Sequence, residues 1–147
     1  MNSDFRELLS IFNTAGVRYL IVGGHAVMLY TQPRYTKDYD LWVDPSPENA
    51  RAVFQALAEF GAPLGETSPE EFAVPDLVFM MGVAPAKIDV MTSISGVQFA
   101  EAWERRQRVA CNDIEAWFIH REDLIRNKRA AGRPQDLVDA DLLEGKG

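Results

Sequence analysis

Residues 19–43 read YLIVGGHAVMLYTQPRYTKDYDLWV, and this stretch decides the fold class. The apolar run at residues 19–22 predicts a buried strand that ends in a Gly-Gly turn. Residues 25–30 predict a short helix, and residues 39–43 predict a second strand. A strand, a helix and a strand in this order are typical of an α/β domain.

The rest of the chain continues the alternation of helical and extended patterns. Helices are predicted at residues 3–15, after a Ser46 cap with Pro47 at the first helical position, and at residues 97–105, 121–131 and 134–143, with one further helical turn after Ser68. Strands are predicted at residues 77–81 and 87–91, and at residues 108–111 and 114–119, as two hairpins. We therefore expect one α/β (α+β) domain over residues 1–147, with a mixed central sheet flanked by helices. Two C-terminal helices from about residue 121 close it.

Composition indicates an ordinary globular chain. The 147 residues are 47% hydrophobic and 25% charged, which excludes general disorder and fibrous repeats. A lone cysteine, Cys111, excludes an internal disulfide and suits a reducing compartment. No apolar run approaches the roughly 20 residues of a membrane span, and the start MNSDFREL is not a signal peptide. We expect a cytoplasmic protein that does not contact a membrane.

The acidic charge is concentrated in the middle of the chain. Residues 38–90 carry ten acidic side chains against two basic ones, Arg51 and Lys87, within a net charge of −7. This balance argues against broad, sequence-independent DNA binding. The acidic segment is either a solubilising face or, in part, a set of carboxylates that converge on a cation.

Three carboxylates are candidate cation ligands. Asp38 and Asp40 lie two positions apart on a strand, so they share one face and repel each other unless a cation lies between them. Asp89 lies inside an apolar strand, and a buried carboxylate is unfavourable unless a positive charge or a hydrogen-bond donor compensates it. Together they predict a site for Mg²⁺ or Mn²⁺. The alternatives are that the Asp-x-Asp pair is a turn or cap feature and that Asp89 pairs with Lys87.

The Gly23-Gly24 turn is a candidate phosphate site. Glycine lets a backbone approach a ligand closely, and free amides at a helix start attract phosphate. His25 follows at once, either as a phosphate donor or as a residue satisfied by the backbone. The turn matches neither the dinucleotide fingerprint nor the P-loop.

The ordered set of motifs resembles a known family. The motifs are LIVGGHAV at residues 20–27, the Arg34-x-Thr36-x-Asp38-x-Asp40 run, and LIRNKRAAGRPQDL at residues 124–137. They resemble the small bacterial nucleotidyltransferase-like proteins of the DNA polymerase β superfamily, in its Gly-Gly branch. That group includes toxins of toxin–antitoxin and abortive-infection modules, and the resemblance covers roughly residues 18–143.

The resemblance implies a metal-dependent enzyme that transfers a nucleoside monophosphate from a nucleoside triphosphate to a hydroxyl of a protein or RNA acceptor. Asp38 and Asp40 would bridge two Mg²⁺ or Mn²⁺ ions, and Asp89 would complete the shell of one ion and orient the acceptor hydroxyl. Many active relatives have Gly-Ser where this chain has Gly-Gly.

The resemblance also assigns nucleotide-binding residues. It implies that Gly23, Gly24, His25, Arg34 and Lys128 hold the nucleotide. From the residues alone, pairing with an acid that fixes its loop is the favoured role of Arg34 over contact with a phosphate, and the basic neighbours of Lys128 indicate a solvated helix face.

Three functions remain open from the sequence. They are the nucleotidyltransferase, a catalytically weak relative that binds nucleotide or a partner, and an unrelated metal-dependent phosphohydrolase. The last is disfavoured because His25 and His120 are the only two histidines. The domain has no evident acceptor-binding module, so we expect a partner to help, such as a cognate antitoxin or toxin, and the acidic surface favours a basic one.

Overall fold

The computed structural model describes residues 2–36, 38–82 and 87–146, and six strands in these ranges form one mixed sheet. The strands are β1 (Tyr19–Val22), β2 (Asp38–Val43), β3 (Val78–Met81), β4 (Lys87–Met91), β5 (Gln107–Cys111) and β6 (Ile114–Phe118). Their order across the sheet is β3-β4-β2-β1-β6-β5. The two strands that the opening motif predicts are therefore the central pair.

The central strands combine parallel and antiparallel pairing. β1 runs antiparallel to β2, whereas β2 is parallel to β4 and β1 is parallel to β6. The pairs β3–β4 and β5–β6 are antiparallel. Since β2 pairs with β4 although a long helix separates them in sequence, residues far apart along the chain become neighbours at the centre of the sheet.

Helices flank this sheet. They are α1 (Ser3–Thr14), α2 (Gly23–Tyr30), α3 (Pro47–Phe60), α4 (Phe99–Glu104), α5 (Arg121–Ala131) and α6 (Pro134–Leu143), with a 3₁₀ turn at Pro69–Ala73. Local signals set their ends: the Ser46 side chain accepts a hydrogen bond at the start of α3, and Gly61 ends that helix with a φ of 94°.

The core lies along the central strands. All four residues of β1 are buried, as are Leu41, Trp42 and Val43 of β2. The apolar face of α1 adds Phe5 and its helical neighbours. Burial of this apolar surface is the main favourable contribution to folding. Asp38 and Asp40 lie outside this core, at the partly exposed start of β2.

The predicted elements are confirmed with small shifts of their bounds. α2 begins at Gly23 rather than His25, so both glycines belong to its first turn. β2 begins at Asp38, so both carboxylates lie within the strand. The loop predicted between β3 and β4 includes residues 83–86, which lie outside the described residues. In the described ranges, no helix has the length and apolarity that crossing a bilayer requires.

Candidate active site

The parallel pairing of β2 with β4 brings two of the predicted carboxylates together. Asp40 lies directly opposite Asp89 in the register, and Asp38 lies opposite Lys87. Because side chains two residues apart on a strand share a face, Asp38, Asp40 and Asp89 all project from the same side of the sheet. The structure therefore places the three residues on one face, as the sequence predicts.

Burial and like charge act together on Asp40. Its pKa rises from 3.8 to about 6, first because burial disfavours the charged form and then because Asp89 and Asp38 repel that charge. Lys128 and Lys87 oppose this shift, since each lies close enough to favour the ionised carboxyl.

Lys87 forms an ion pair with Asp89. Its ammonium Nζ lies 3.1 Å and 3.2 Å from the two Asp89 carboxylate oxygens, and 3.8 Å from Asp38 Oδ2. The pairing of Asp89 with Lys87, one of the two alternatives for this residue, is present in the structure. Within the described ranges, no three carboxylate, imidazole or thiol side chains surround a common point closely enough to ligate one ion as they stand.

The two glycines of the turn pack against the Asp-x-Asp strand. Gly23 has a φ of 70°, and a β-carbon built on it would lie 2.1 Å from Asp40 Oδ2. A β-carbon on Gly24 would lie 2.8 Å from Thr36 Cγ2. The missing side chains thus let the first turn of α2 lie directly against Asp40 and the segment that leads to it.

Lys128 is buried among carboxylates of the last helix. Its side chain is 10% exposed, and its Nζ lies 3.3 Å from Asp136 Oδ1 and 3.4 Å from Asp139 Oδ2. The prediction of a solvated face for Lys128 is therefore wrong. Its basic neighbours Arg126 and Arg129 are exposed, but the helical turn carries Lys128 inward.

Arg34 is held by Asp139, one of these two carboxylates. Its guanidinium donates two hydrogen bonds to Asp139, at 2.6 Å and 3.1 Å, which confirms the alternative in which Arg34 fixes its loop. The neighbouring carboxylate, Asp136, accepts hydrogen bonds from Arg133 and Lys128. These bonds hold the pKa of both Asp139 and Asp136 below its ordinary value, against the opposing effect of burial. The network joins the segment before β2 to α5 and α6.

His25 does not reach the carboxylates. Its ring stacks on Tyr39 at 4.1 Å between centroids, and Tyr39 projects from the face of β2 opposite to Asp38 and Asp40. Burial lowers the pKa of His25. Its Nε2 is buried and makes no hydrogen bond within the described residues. The structure places this predicted phosphate donor on the other side of the sheet.

Two clefts meet at the Asp-x-Asp strand. The first, of about 470 Å³, is lined by Gly24, Arg34, Tyr35, Thr36 and Gln135 together with Asp38 and Asp40. The second, of about 400 Å³, is lined by the same two carboxylates and by Asp89, Gly23, Ser93 and Lys128, among others. Asp38 and Asp40 therefore form a floor that both clefts share, with Asp89 in the second cleft alone. We name them the Arg34 cleft and the Asp89 cleft.

The carboxylate oxygens of the site are of the chemical type that binds a hard divalent cation. Asp38, Asp40 and Asp89 offer only carboxylate oxygens, which are the ligands that Mg²⁺ and Mn²⁺ prefer. Burial and then the repulsion from Asp89 and Asp38 raise the pKa of Asp40, and a bound cation would relieve this repulsion. Asp38 and Asp89 already lie against one positive charge, the Lys87 ammonium.

The sequence did not identify Asp136 and Asp139 as supports of the site. They are buried partners of Lys128 and Arg34. Their spacing of three residues, which puts both on one helix face, is the signal that could have found them.

Replacing Gly23 by alanine tests the close packing against Asp40. Gly16→Ala is the control, because Gly16 has a φ of 71° but no atom within 4 Å of a new β-carbon. We expect this control to lose about 1–2 kcal/mol of unfolding free energy from backbone strain alone. Gly23→Ala has the same backbone strain and adds a collision with Asp40, so we expect its loss to exceed that of Gly16→Ala by at least about 1 kcal/mol. Urea unfolding measures both, and equal losses would contradict the packing.

The raised pKa of Asp40 predicts a pH dependence of stability. The folded state holds this proton more tightly than the unfolded chain does, so the contribution of Asp40 is full below about pH 4 and is lost as pH rises through 6. The unfolding free energies of the wild type and of Asp40→Asn are measured in EDTA at pH 4 and at pH 7. The wild-type value minus the Asp40→Asn value should fall by on the order of 2 kcal/mol between these two pH values.

Glu59→Gln is the control for this measurement, because Glu59 is an exposed carboxylate on α3. The difference in unfolding free energy between the wild type and Glu59→Gln should change by less than about 0.5 kcal/mol between pH 4 and pH 7. A wild-type protein that gains stability over Asp40→Asn as pH rises would show that the sign is wrong.

Two solved structures share the fold. The lincosamide antibiotic adenylyltransferase LnuA, solved with lincomycin bound, superposes with a TM-score of 0.57 at 14% identity, over 100% of this chain and 98% of LnuA. A candidate nucleotidyltransferase from Thermotoga maritima gives a TM-score of 0.60 at 14% identity, over 96% of this chain and 88% of that protein. No curated protein matches the sequence. The two likenesses establish a nucleotidyltransferase-like fold.

A family model matches the sequence along almost its whole length. The match covers residues 3–144, which include both glycines of the turn and the three carboxylates of the site. The chain therefore belongs to the family described as nucleotidyltransferase of unknown function (DUF6036).

Proposed function

We propose that this protein transfers a nucleoside monophosphate from a nucleoside triphosphate to an acceptor hydroxyl, as a single-domain member of the Gly-Gly branch of the DNA polymerase β superfamily. The observation that carries the proposal is the carboxylate floor shared by two clefts. A transfer between two substrates requires both to meet at one charged centre. Asp38 and Asp40 occupy that position, and Asp89 lies beside them in register.

Asp38, Asp40 and Asp89 would hold Mg²⁺ or Mn²⁺ in this proposal. When bound, the cation neutralises negative charge on the nucleotide phosphates and on the reacting oxygens. The carboxylates alone would repel a triphosphate, and their number on one face supports a cofactor of this kind. Lys128 and Lys87 supply part of the required positive charge from the protein itself.

The chain's own residues supply binding and orientation. The amides of Gly23 and Gly24, at the first turn of α2, would donate hydrogen bonds to the phosphates. Arg34 would act through Asp139, to which it is bound, by holding the segment before β2 in place. Asp89 would orient the acceptor hydroxyl and accept its proton as the oxygen attacks the α-phosphorus, and pyrophosphate would leave.

Lys128 would compensate the charge of Asp40 from beneath the Asp89 cleft. His25 is left out of the proposed nucleotide site, because its ring lies on the far face of the sheet against Tyr39. Its proposed place is structural.

The proposed acceptor is a protein or an RNA, within a toxin–antitoxin type of module that supplies a partner. The excess of acidic side chains at residues 38–90 supports a basic partner. A small-molecule acceptor is the second candidate, favoured by the likeness to LnuA, an adenylyltransferase solved with an antibiotic bound. The Gly23-Gly24 turn, where the resemblance implies Gly-Ser in many active relatives, favours a further candidate, a relative that binds nucleotide or a partner with weak catalysis.

Label transfer tests the proposal. The protein is incubated with Mg²⁺ or Mn²⁺, each α-labelled nucleoside triphosphate, and in turn cell-extract protein, RNA or a lincosamide. We expect label on one acceptor class, and a loss of at least about 100-fold in Asp38→Asn, Asp40→Asn and Asp89→Asn, since each removes a charge that the reaction needs. Glu59→Gln, which removes an exposed carboxylate outside both clefts, should retain full transfer.

The other outcomes separate the alternatives. Nucleotide binding without transfer to any acceptor would favour the catalytically weak relative. Hydrolysis of the nucleotide with no labelled acceptor would favour a phosphohydrolase. Transfer that survives Asp40→Asn would contradict the assignment of the site.

A further inference from the structure

Lys87 occupies the position between two proposed cation ligands. Its ammonium lies within 3.2 Å of both Asp89 oxygens and 3.8 Å from Asp38 Oδ2. It thereby spans the two strands, since Asp89 lies on β4 and Asp38 on β2. No other basic side chain in the described ranges forms an ion pair with either carboxylate.

The register of the sheet builds this contact in. Lys87 is the first residue of β4, two positions before Asp89, so the two side chains share a face. Asp38 is its direct partner across the parallel pair. The ammonium therefore reaches both carboxylates from a fixed backbone position.

The Lys87 contact and a divalent cation need the same oxygens. A divalent cation binds carboxylate oxygens directly, and an ammonium that donates hydrogen bonds to the same oxygens both blocks and repels it. The side chain of Lys87 is 32% exposed, so it can leave Asp38 and Asp89, which both line the Asp89 cleft, by rotating about its flexible stem. An anionic triphosphate in that cleft offers the ammonium a new partner.

We propose that Lys87 is an internal competitor of the divalent cation: it occupies Asp38 and Asp89 when nucleotide is absent and moves to the nucleotide phosphates when cation and nucleotide enter together. The inference rests on the proposed function for its cation site. Cation binding then becomes coupled to nucleotide binding.

Titration with Mn²⁺ in the absence of nucleotide tests the competition. Lys87→Met keeps the apolar stem and removes the charge, so Mn²⁺ should bind about tenfold more tightly than to the wild type at constant pH and salt. Lys87→Arg keeps a positive charge and should stay within about threefold of the wild type. Lys146→Met removes an exposed lysine at the end of the chain, paired there with Glu144, and should leave Mn²⁺ affinity unchanged.

Affinity is read from the electron paramagnetic resonance signal of free Mn²⁺, and circular dichroism checks that each variant is folded. If Lys87→Met is unfolded, Lys87→Gln is measured in its place with the same expected result. Equal or weaker Mn²⁺ binding by the neutral variant would overturn the proposal, because it would show that Lys87 does not compete with the ion or even assists it.

The same titration with a non-hydrolysable triphosphate present gives a second readout. We expect the advantage of Lys87→Met to shrink to within about threefold, since nucleotide draws the wild-type ammonium away from the carboxylates. An advantage that stays tenfold would overturn the coupling to nucleotide. Neither titration depends on turnover, so absence of label transfer would count against the proposed function, whereas absence of a change in Mn²⁺ affinity would count against the role of Lys87.

Discussion

The parallel pairing of β2 with β4 places Asp40 beside Asp89. Most other features of the site compensate the repulsion between these two like charges. Two adjacent carboxylates in a partly buried position are unfavourable unless positive charge lies near them. Lys87 supplies that charge from the strand itself, and Lys128 supplies it from α5. The site thus combines a fixed cluster of acids with protein cations that a metal–nucleotide pair can supplement.

The buried position of Lys128 carries this constraint outward. A buried ammonium also requires partners, and it finds them in Asp136 and Asp139 of the last helix. Asp139 in turn binds Arg34, which fixes the segment that leads into Asp38. The last two helices are therefore joined by ion pairs to the segment that precedes the Asp-x-Asp strand.

Local patterns were enough to predict the elements and the shared face of the carboxylates. The period of two along a strand puts Asp38 and Asp40 on one side, and the apolar run around Asp89 predicts a neighbouring strand. Contacts between distant segments were not predictable in this way. Lys128 has basic neighbours and was assigned to solvent, because nothing local shows that Asp136 and Asp139 fold back over it. The face of the sheet on which His25 lies depends on the direction in which α2 leaves the sheet, and this direction is not visible in the local sequence. In the structure the ring of His25 stacks on Tyr39.

The most direct test of the account is a crystal structure with Mn²⁺ and a non-hydrolysable nucleoside triphosphate, with the ion located by its anomalous signal. We predict Mn²⁺ bound to oxygens of Asp38 and Asp40, with the triphosphate against the first turn of α2 and the Lys87 ammonium withdrawn from Asp89. An ion bound elsewhere, with Lys87 still on Asp89 and the glycine turn free of phosphate, would contradict the central claim that these carboxylates form a cation-dependent nucleotide site.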